Sequence, residues 1–234
     1  MIPRSKLAEH RQPKSIWKRG AGWVKRKVIV GGTSLMYQAL LRLPCFHAIR
    51  NTACSQNPCR FKHWIAQRIL RINGDVYWPV HFASRINEPR NIHVGVDCAP
   101  GYEPGCYIQG IGPIVIGDYT QVAANVGIIG ANHNVHDLRA HTEPKGVSIG
   151  KYCWLGMGCI ILPGVTLGDF TIVGANAVVT KSYPDGYCVL AGSPAVQIRK
   201  LDPESCLQHR AENEYHGFIR KEDFPDYRLS SLWI

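Results

Sequence analysis

Two histidines, His133 and His136, lie three residues apart in the segment Gly130-Ala131-Asn132-His133-Asn134-Val135-His136-Asp137. Histidine suits proton transfer near neutral pH because its unperturbed pKa lies in that range. Nucleophilic attack by a hydroxyl group needs such a base to take the hydroxyl proton. We therefore take His133 as a candidate base and His136 as a residue that shapes the site or binds acceptor hydroxyls. His141 is interpreted as a surface loop residue.

A histidine that acts as a base usually has a carboxylate or a carbonyl on its second ring nitrogen. Glu103, Asp137 and Glu143 are the candidate carboxylates, and the sequence does not choose between them. Glu103 lies in the irregular stretch Pro100-Gly101-Tyr102-Glu103-Pro104-Gly105.

The histidines lie where a six-residue repeat is interrupted. From residue 116 an aliphatic residue recurs every six positions, and the position four residues later is mostly small or β-branched. A period of six fits neither a helix nor an exposed strand, but it suits a solenoid of short strands. The repeat breaks once, between Ile128 and Ile149, where residues 134–148 form an inserted loop. A weaker unit, Val94-Gly95, lies upstream and out of phase. The nine opening residues are Ile116, Val122, Ile128, Ile149, Leu155, Ile161, Leu167, Val173 and Val179.

The stretch from Ile149 to Lys181 reads IGKYCWLGMGCIILPGVTLGDFTIVGANAVVTK. It resembles the hexapeptide-repeat acyltransferases, in particular the sugar O-acetyltransferase branch with its maltose, galactoside, capsule and exopolysaccharide acetyltransferases. The closing Ala191-Gly192-Ser193-Pro194-Ala195, followed by Arg199, matches a motif of that family. The resemblance covers about residues 90–200. It implies a left-handed parallel β-helix, a homotrimer, and His133 as general base.

The resemblance also implies acetyl-CoA as co-substrate, bound in the groove between neighbouring β-helices, and no metal. Lys181 and Arg199 can meet the phosphates, and Trp154 can line the pantetheine tunnel. Met157 stands where the family often has serine, and Val196 where it often has a basic residue. By position, the donor-binding residues are Trp154, Gly156, Met157, Ala175, Thr180, Lys181 and Arg199. The expected acceptor is a hydroxyl of a sugar, a nucleotide sugar or a bacterial surface polysaccharide precursor, contacted by Glu103 and His136.

The fold class expected is mainly β, with helical segments at both ends. Residues 1–75 are a basic N-terminal segment with helices around 34–43 and 61–72, and residues 76–199 are the β-helix domain. Residues 200–234 form a tail in which Leu201 to Glu214 is predicted to be helical. Asp202 would be the N-cap of that helix, with Pro203 at its first position.

The net charge of +10 comes from the N-terminal third, since residues 1–75 hold 15 Lys and Arg against Glu9 and Asp75. Such a segment suits an anionic partner. Nucleic acid is not expected, because the aromatic pattern of single-strand binders is missing. No clean stretch of about 20 apolar residues predicts a membrane span, but an interfacial helix fits one group of residues. These are Lys25, Arg26, Lys27, Leu35, Leu40, Leu41, Leu43 and Phe46.

Nine cysteines, an odd number without a CxxC pair, indicate a reducing compartment, and Cys153 and Cys159 are predicted core residues. We expect a cytoplasmic protein that contacts the inner face of the membrane.

Three alternatives stay open. One is an acetyltransferase for a small non-sugar acceptor such as serine or an antibiotic, and another is a non-catalytic β-helix scaffold with a basic arm. The third, a γ-type carbonic anhydrase, is disfavoured because His81 and His93 lack the spacing of a third zinc-binding histidine.

Overall fold

The computed structural model describes residues 37–234. Residues 37–40 are helical and belong to a separate N-terminal unit, whereas Leu41–Ile234 form one compact unit. Of the residues predicted to form an interfacial helix, Lys25, Arg26, Lys27 and Leu35 lie outside the described part of the chain.

Short parallel strands stack into three sheets, and from the third to the twelfth strand the chain visits the sheets in the repeating order one, two, three. Sheet 1 contains β1 (Arg85–Asn87), β3 (Tyr107–Gln109), β6 (Gly127–Ile129), β9 (Ile160–Ile161) and β12 (Val178–Val179). Sheet 2 contains β2 (Ile92–Val94), β4 (Ile114–Ile116), β7 (Val147–Ile149) and β10 (Thr166–Leu167). Sheet 3 contains β5 (Gln121–Val122), β8 (Trp154–Leu155), β11 (Thr171–Val173) and β13 (Cys188–Gly192), closed by the antiparallel β14 (Ala195–Lys200). The predicted parallel β-helix is confirmed.

The opening residues of the repeat form the inner wall of this helix. All nine are buried, and all but Val179 stack on the equivalent residue of the next coil, as Ile116 does on Ile149 and Ile149 on Leu167. Burying a side chain of this size stabilises the fold by about 1.5–3 kcal/mol. The small residue that often comes next in the chain has a steric cause: a Cβ on Gly117 or Gly150 would lie within 2.7 Å of the backbone of the next coil.

Two further coils precede the regular repeat. Ile86 pairs with Ile108 and Ile108 with Ile128, while Val94 pairs with Ile116. These partners lie 22, 20 and 22 residues apart, whereas Ile149 and Leu167 lie 18 apart. Extra corner residues therefore shift the phase of the upstream coils without changing the stack, which explains why Val94 stands out of phase.

Short helices pack before the first coil. They are α1 (His47–Asn51), which comes after a 3₁₀ turn at Pro44–Phe46, and α2 (Phe61–Trp64), which continues as a π-helical stretch at Ile65–Ile69. Gln67 is fully buried; its amide donates to the carbonyls of Asn73, Val76 and Trp78. Its oxygen accepts from the amide of Val80 at 3.1 Å, which fixes this segment on the segment leading to β1.

The prediction of an interfacial helix is wrong for two of its apolar residues. Leu41 and Phe46 are buried in a small core with Ile49, Cys59 and Tyr215. Their apolar side chains are therefore used for packing within the protein.

The helix predicted from Leu201 to Glu214 is also wrong. Asp202 does accept a hydrogen bond from the amide of Glu204, but only a 3₁₀ turn forms there, at Pro203–Ser205. Beyond it the chain crosses two tyrosines: Tyr152 donates to the carbonyl of His209 at 3.0 Å, and the amide of Ala211 donates to Tyr119. These bonds hold an extended path where no apolar periodicity supports a helix.

The tail ends in the hairpin β15 (Tyr215–His216) and β16 (Ile219–Arg220) and in helix α3 (Phe224–Ser231). The short C-terminal helix of the predicted fold class is thus present, but further along the chain.

All nine cysteines are free, and Cys153 and Cys159 are buried in the core as predicted. Burial raises the pKa of Cys153 to about 11 and that of Cys159 to about 12. Within residues 37–234 we find no helix that is long and apolar enough to span a membrane.

Candidate active site

The residues expected to act in catalysis lie on the corners of the β-helix. Corner 1/2, between sheets 1 and 2, includes residues 130–146 and 180–182. Corner 2/3 includes residues 117–120, 150–153 and 168–170, and corner 3/1 includes residues 123–126, 156–159 and 174–177.

The inserted loop leaves corner 1/2 and folds into an antiparallel hairpin. The amide of Asn134 donates to the carbonyl of Ala140, and that of Thr142 to the carbonyl of Asn132, both at 2.8 Å. His133 and His141 face each other between these bonds, at a position where cross-strand side chains come closest. Their rings stack with centroids 4.4 Å apart at 29°. His141, expected to be an ordinary loop residue, therefore packs on the candidate base.

A backbone carbonyl orients the ring of His133. Its Nδ1 lies 3.0 Å from the carbonyl oxygen of Leu138. Because a carbonyl can only accept, Nδ1 carries the hydrogen, and the lone pair of the neutral ring is on Nε2.

None of the three candidate carboxylates takes this place on Nδ1. Asp137 instead forms an ion pair with Arg139 at 2.9 Å on the protein surface, where hydrogen bonds from that arginine lower the pKa of the carboxyl. The expectation of a carboxylate partner among Glu103, Asp137 and Glu143 is wrong. The sequence analysis allowed a carbonyl as the partner of Nδ1. It could not identify the carbonyl of Leu138, because a backbone group leaves no signal in the sequence.

His136 lies in the same hairpin and is exposed. Its amide donates to Oδ1 of Asn134 at 2.9 Å, which tightens the turn after His133. Thr180 and Lys181 come after β12 on corner 1/2, and both are exposed. The ammonium of Lys181 lies 5.7 Å from the ring centre of Tyr183. Corner 1/2 thus carries the candidate base, one candidate acceptor residue and two candidate donor residues.

Other predicted residues lie on corner 3/1. Met157 is 54% exposed, and its carbonyl accepts from the amide of Asn176, next to the exposed Ala175. Gly156 belongs to the same corner; a Cβ there would lie 2.6 Å from the carbonyl oxygen of Val173.

Glu103 belongs to an earlier turn of corner 3/1, because the amide of Asn125 donates to the carbonyl of the neighbouring Pro104 at 2.9 Å, and its side chain is exposed. Sheet 1 therefore separates Glu103 from His133 within one chain.

Trp154 and Arg199 lie on sheet 3. The side chain of Trp154 is 51% exposed on the outer face of β8, whereas Leu155 points inward. Arg199 is exposed on β14, opposite Val189 of β13.

An aromatic column on corner 2/3 was not predicted. Tyr119, Tyr152, Phe170 and Tyr187 stack on successive coils with centroids 5.2, 4.9 and 5.1 Å apart. All four have a left-handed backbone, which is uncommon for bulky residues. The column borders a cavity of about 360 Å³ that is also lined by Trp154. The sequence signal was an aromatic residue shortly after a glycine at each of these turns, at Gly117, Gly150, Gly168 and Gly186.

Comparison with known proteins assigns the family. The bacterial transferase hexapeptide (six repeats) family matches residues 146–181. The galactoside O-acetyltransferase of Escherichia coli is 35% identical over 164 residues, which cover 68% of this chain and 70% of that protein. The chain belongs to the hexapeptide transferase family.

This chain is also 36% identical over 118 residues to a Schizosaccharomyces pombe protein named as an acetyltransferase. That match covers 49% of this chain and 55% of the relative, so the chain spans about half the length of that relative. Among solved structures, a maltose O-acetyltransferase from Clostridium difficile 630 is similar with a TM-score of 0.51 and 29% identity. The similarity covers 70% of this chain and 89% of that one. The family and the three parallel sheets agree with the predicted left-handed β-helix.

Proposed function

We propose that this hexapeptide transferase moves an acetyl group from acetyl-CoA to a hydroxyl of a sugar, with His133 as general base. The observation that carries the proposal is the contact of Nδ1 with the Leu138 carbonyl, because it leaves the lone pair on Nε2. Family membership supports acyl transfer, and the names of the galactoside and maltose acetyltransferases support a sugar acceptor.

The proposed reaction needs one proton carrier. Nε2 of His133 takes the hydroxyl proton as the acceptor oxygen attacks the thioester carbon, which gives a tetrahedral oxyanion. The oxyanion then collapses, the carbon–sulfur bond breaks, and the imidazolium returns the proton to the sulfur of coenzyme A. The Leu138 carbonyl holds the ring and stabilises the positive charge that it carries between the two steps.

We propose that the donor lies across residues of two corners and of sheet 3. Lys181 and Arg199 supply positive charge for its phosphates, and Trp154 offers a flat apolar face to the pantetheine arm. Gly156, Met157, Ala175 and Thr180 line the path with exposed backbone. For the acceptor, His136 is the candidate beside the base, and Glu103 is the candidate from corner 3/1.

We further propose a homotrimer in which the site is shared between subunits. His133 and Met157 lie on opposite edges of sheet 1, so a partner must bring a second corner to the base. Exposed apolar side chains among and near the donor residues support such an interface, since monomeric proteins rarely expose them together. They are Trp154 at 51%, Met157 at 54%, Val196 at 49% and Ile198 at 63%.

The free thiols favour a reducing compartment, and we propose the cytoplasm.

The test of the base is His133→Ala, with His209→Ala, in the tail that packs on corner 2/3, as the control. Acetyl-CoA consumption is measured over a panel of sugars and nucleotide sugars. We expect His133→Ala to lose about 10²–10⁴-fold in kcat while its coenzyme A affinity stays unchanged. His209→Ala should keep most activity. Full activity in His133→Ala would refute the base assignment.

Subunit sharing is tested by complementation. His133→Ala and Trp154→Ala chains are unfolded, mixed and refolded together. If one site takes its base and its donor surface from different chains, mixed trimers regain part of the activity that neither variant has alone. Light scattering that shows only monomers, or mixtures without recovery, would contradict the shared site.

A further inference from the structure

Five large apolar side chains are exposed on two hydrogen-bonded segments before the first coil, and we call them the apolar patch. The patch comes after helix α2, where the π-helical stretch ends and the chain turns towards β1. Its residues are Ile65, Ile69, Leu70, Ile72 and Phe82, of which Ile69, Leu70 and Phe82 are 60%, 62% and 64% exposed. Clusters of this kind mark a surface that contacts a partner or a membrane.

Hydrogen bonds keep the two parts of the apolar patch side by side. The side-chain amide of Asn73, next to Ile72, donates to the carbonyl of Ser84 at 3.0 Å. The buried Gln67 ties the helical part to Val80, two residues before Phe82. The patch is therefore carried by a surface that the core fixes.

Positive charges predominate around the apolar patch. Residues 37–75 contain six Lys and Arg against one acid, the exposed Asp75. Lys62, Arg68, Arg71 and Arg85 are all exposed, and the guanidinium of Arg68 lies over the ring of Phe218 at 5.3 Å. An apolar centre with a basic rim complements a bilayer surface, because apolar side chains enter the headgroup region while cations meet anionic lipid.

We propose that the apolar patch docks on the surface of a membrane that contains anionic phospholipid. A protein partner fits the surface less well, because the centres of protein interfaces are depleted in charge, whereas Ile69, Leu70 and Ile72 each adjoin Arg68 or Arg71 in the sequence. In a cyclic trimer whose axis runs parallel to the β-helices, three copies of the patch lie at the same end. Three weak contacts on one face then act together and raise the membrane affinity beyond that of one patch.

The first test is sedimentation of the full chain with vesicles of phosphatidylcholine and phosphatidylglycerol, and with vesicles of phosphatidylcholine alone. The test variant is Ile69→Ser, Leu70→Ser and Phe82→Ser combined. Its control combines Leu207→Ser and Leu229→Ser, which remove apolar side chains that are 86% and 87% exposed elsewhere. We expect the test variant to partition at least about tenfold more weakly than the wild type on the mixed vesicles, and the control to bind like the wild type.

A second pair of variants tests the charged rim. Lys62→Gln with Arg71→Gln should weaken binding to the mixed vesicles and flatten its salt dependence. Lys200→Gln with Arg210→Gln removes the same charge elsewhere and should have a smaller effect. This pair leaves the apolar side chains in place, so it stays informative if the serine variant folds poorly.

Three outcomes would overturn the proposal. One is wild-type protein that does not sediment with either vesicle. Another is a serine variant that folds and binds like the wild type, which would assign any binding to residues 1–36. The third is a change of molecular mass in the serine variant without vesicles, which would make the patch a subunit contact. Since none of these measurements uses catalysis, failure of the proposed acetyltransferase activity is a separate result.

Discussion

His63 should make the stability of this protein sensitive to acid. The side chain is only 2% exposed, and neither ring nitrogen has a hydrogen-bond partner among residues 37–234. Burial, together with the nearby charges of Lys62 and Arg60, lowers the pKa of His63 to about 4. The ring is therefore neutral in the folded protein at a pH where the unfolded chain already binds a proton.

Proton linkage gives the sign and the size of the effect. Above about pH 6.5 both states are neutral at His63, and the residue adds no pH dependence. Between about pH 6.5 and about pH 4 only the unfolded chain is protonated, so the free energy of unfolding falls as the pH falls. One pKa unit corresponds to about 1.4 kcal/mol, which gives a loss of about 2 kcal/mol from about pH 7.5 to about pH 5.

The matched perturbation is His63→Phe. A phenyl ring keeps the edge contact with Tyr102, whose ring centre lies 4.6 Å from that of His63, and removes the two unpaired nitrogens. We expect stability near pH 7.5 to be unchanged or higher, because an unpaired buried polar group is costly. The loss between the two pH values should shrink by about 2 kcal/mol. His47, His93 and His216 contribute to the remaining loss, because burial lowers their pKa values as well, that of His93 to about 4.

The assay is urea unfolding at about pH 7.5 and about pH 5, at one fixed protein concentration because assembly shifts apparent stability. His136→Gln, which removes an exposed histidine, serves as control and should keep the wild-type loss. A pH dependence of His63→Phe within about 0.5 kcal/mol of the wild type would refute the argument, because that is the usual scatter of such differences.

Three further predictions concern the site and the coils. His141→Ala should lower kcat about tenfold with little change in KM by freeing the ring of His133, whereas His141→Phe should retain most activity; equal losses in steady-state kinetics would contradict this positioning role. Lys181→Gln should raise KM for acetyl-CoA several-fold through loss of one phosphate contact, and an unchanged KM would remove that lysine from the donor site. Gly150→Ala should lower the free energy of unfolding, measured in urea, by about 3 kcal/mol or more, since its Cβ would lie 2.5 Å from the next coil. Gly164→Ala should lower it by only about 1–2 kcal/mol, because that position has more space and the cost is that of its φ of +82°.

The regular part of the β-helix was predictable because one residue type returns at one spacing. From Ile149 to Val179 each corner has a constant length, so the inward side chains keep a strict period. The upstream coils place Ile86 and Ile108 on the same wall, but their corners carry extra residues. A stack depends on which strands pair in space, and a period search detects only equal spacing along the chain.

The tail shows the limit of local signals. Asp202 and Pro203 form the start of a helix as the capping rules predict, and the turn is present. Distant partners decide the path of the chain after that turn, since the phenols of Tyr119 and Tyr152 bind backbone groups of the tail. Those tyrosines lie more than 50 residues away, so no window around residue 206 could reveal them.

The candidate base was found from its place at the break in the repeat, but its surroundings were not. The partner of Nδ1 is the carbonyl of Leu138, and the stacking ring is that of His141. Both depend on the register of the hairpin, which the sequence does not fix because the segment has no alternating apolar pattern.

The two ends of the loop that carries His133 are joined at its base. The amide of Gly146 donates to the carbonyl of Gly130 at 3.0 Å, so the coil continues as if the intervening residues were absent. Closing a flexible loop becomes only about 0.6 kcal/mol more costly with each doubling of its length. The loop can therefore be lengthened, shortened or replaced at little cost in folding free energy, because folding of the β-helix depends on the coils and not on the loop.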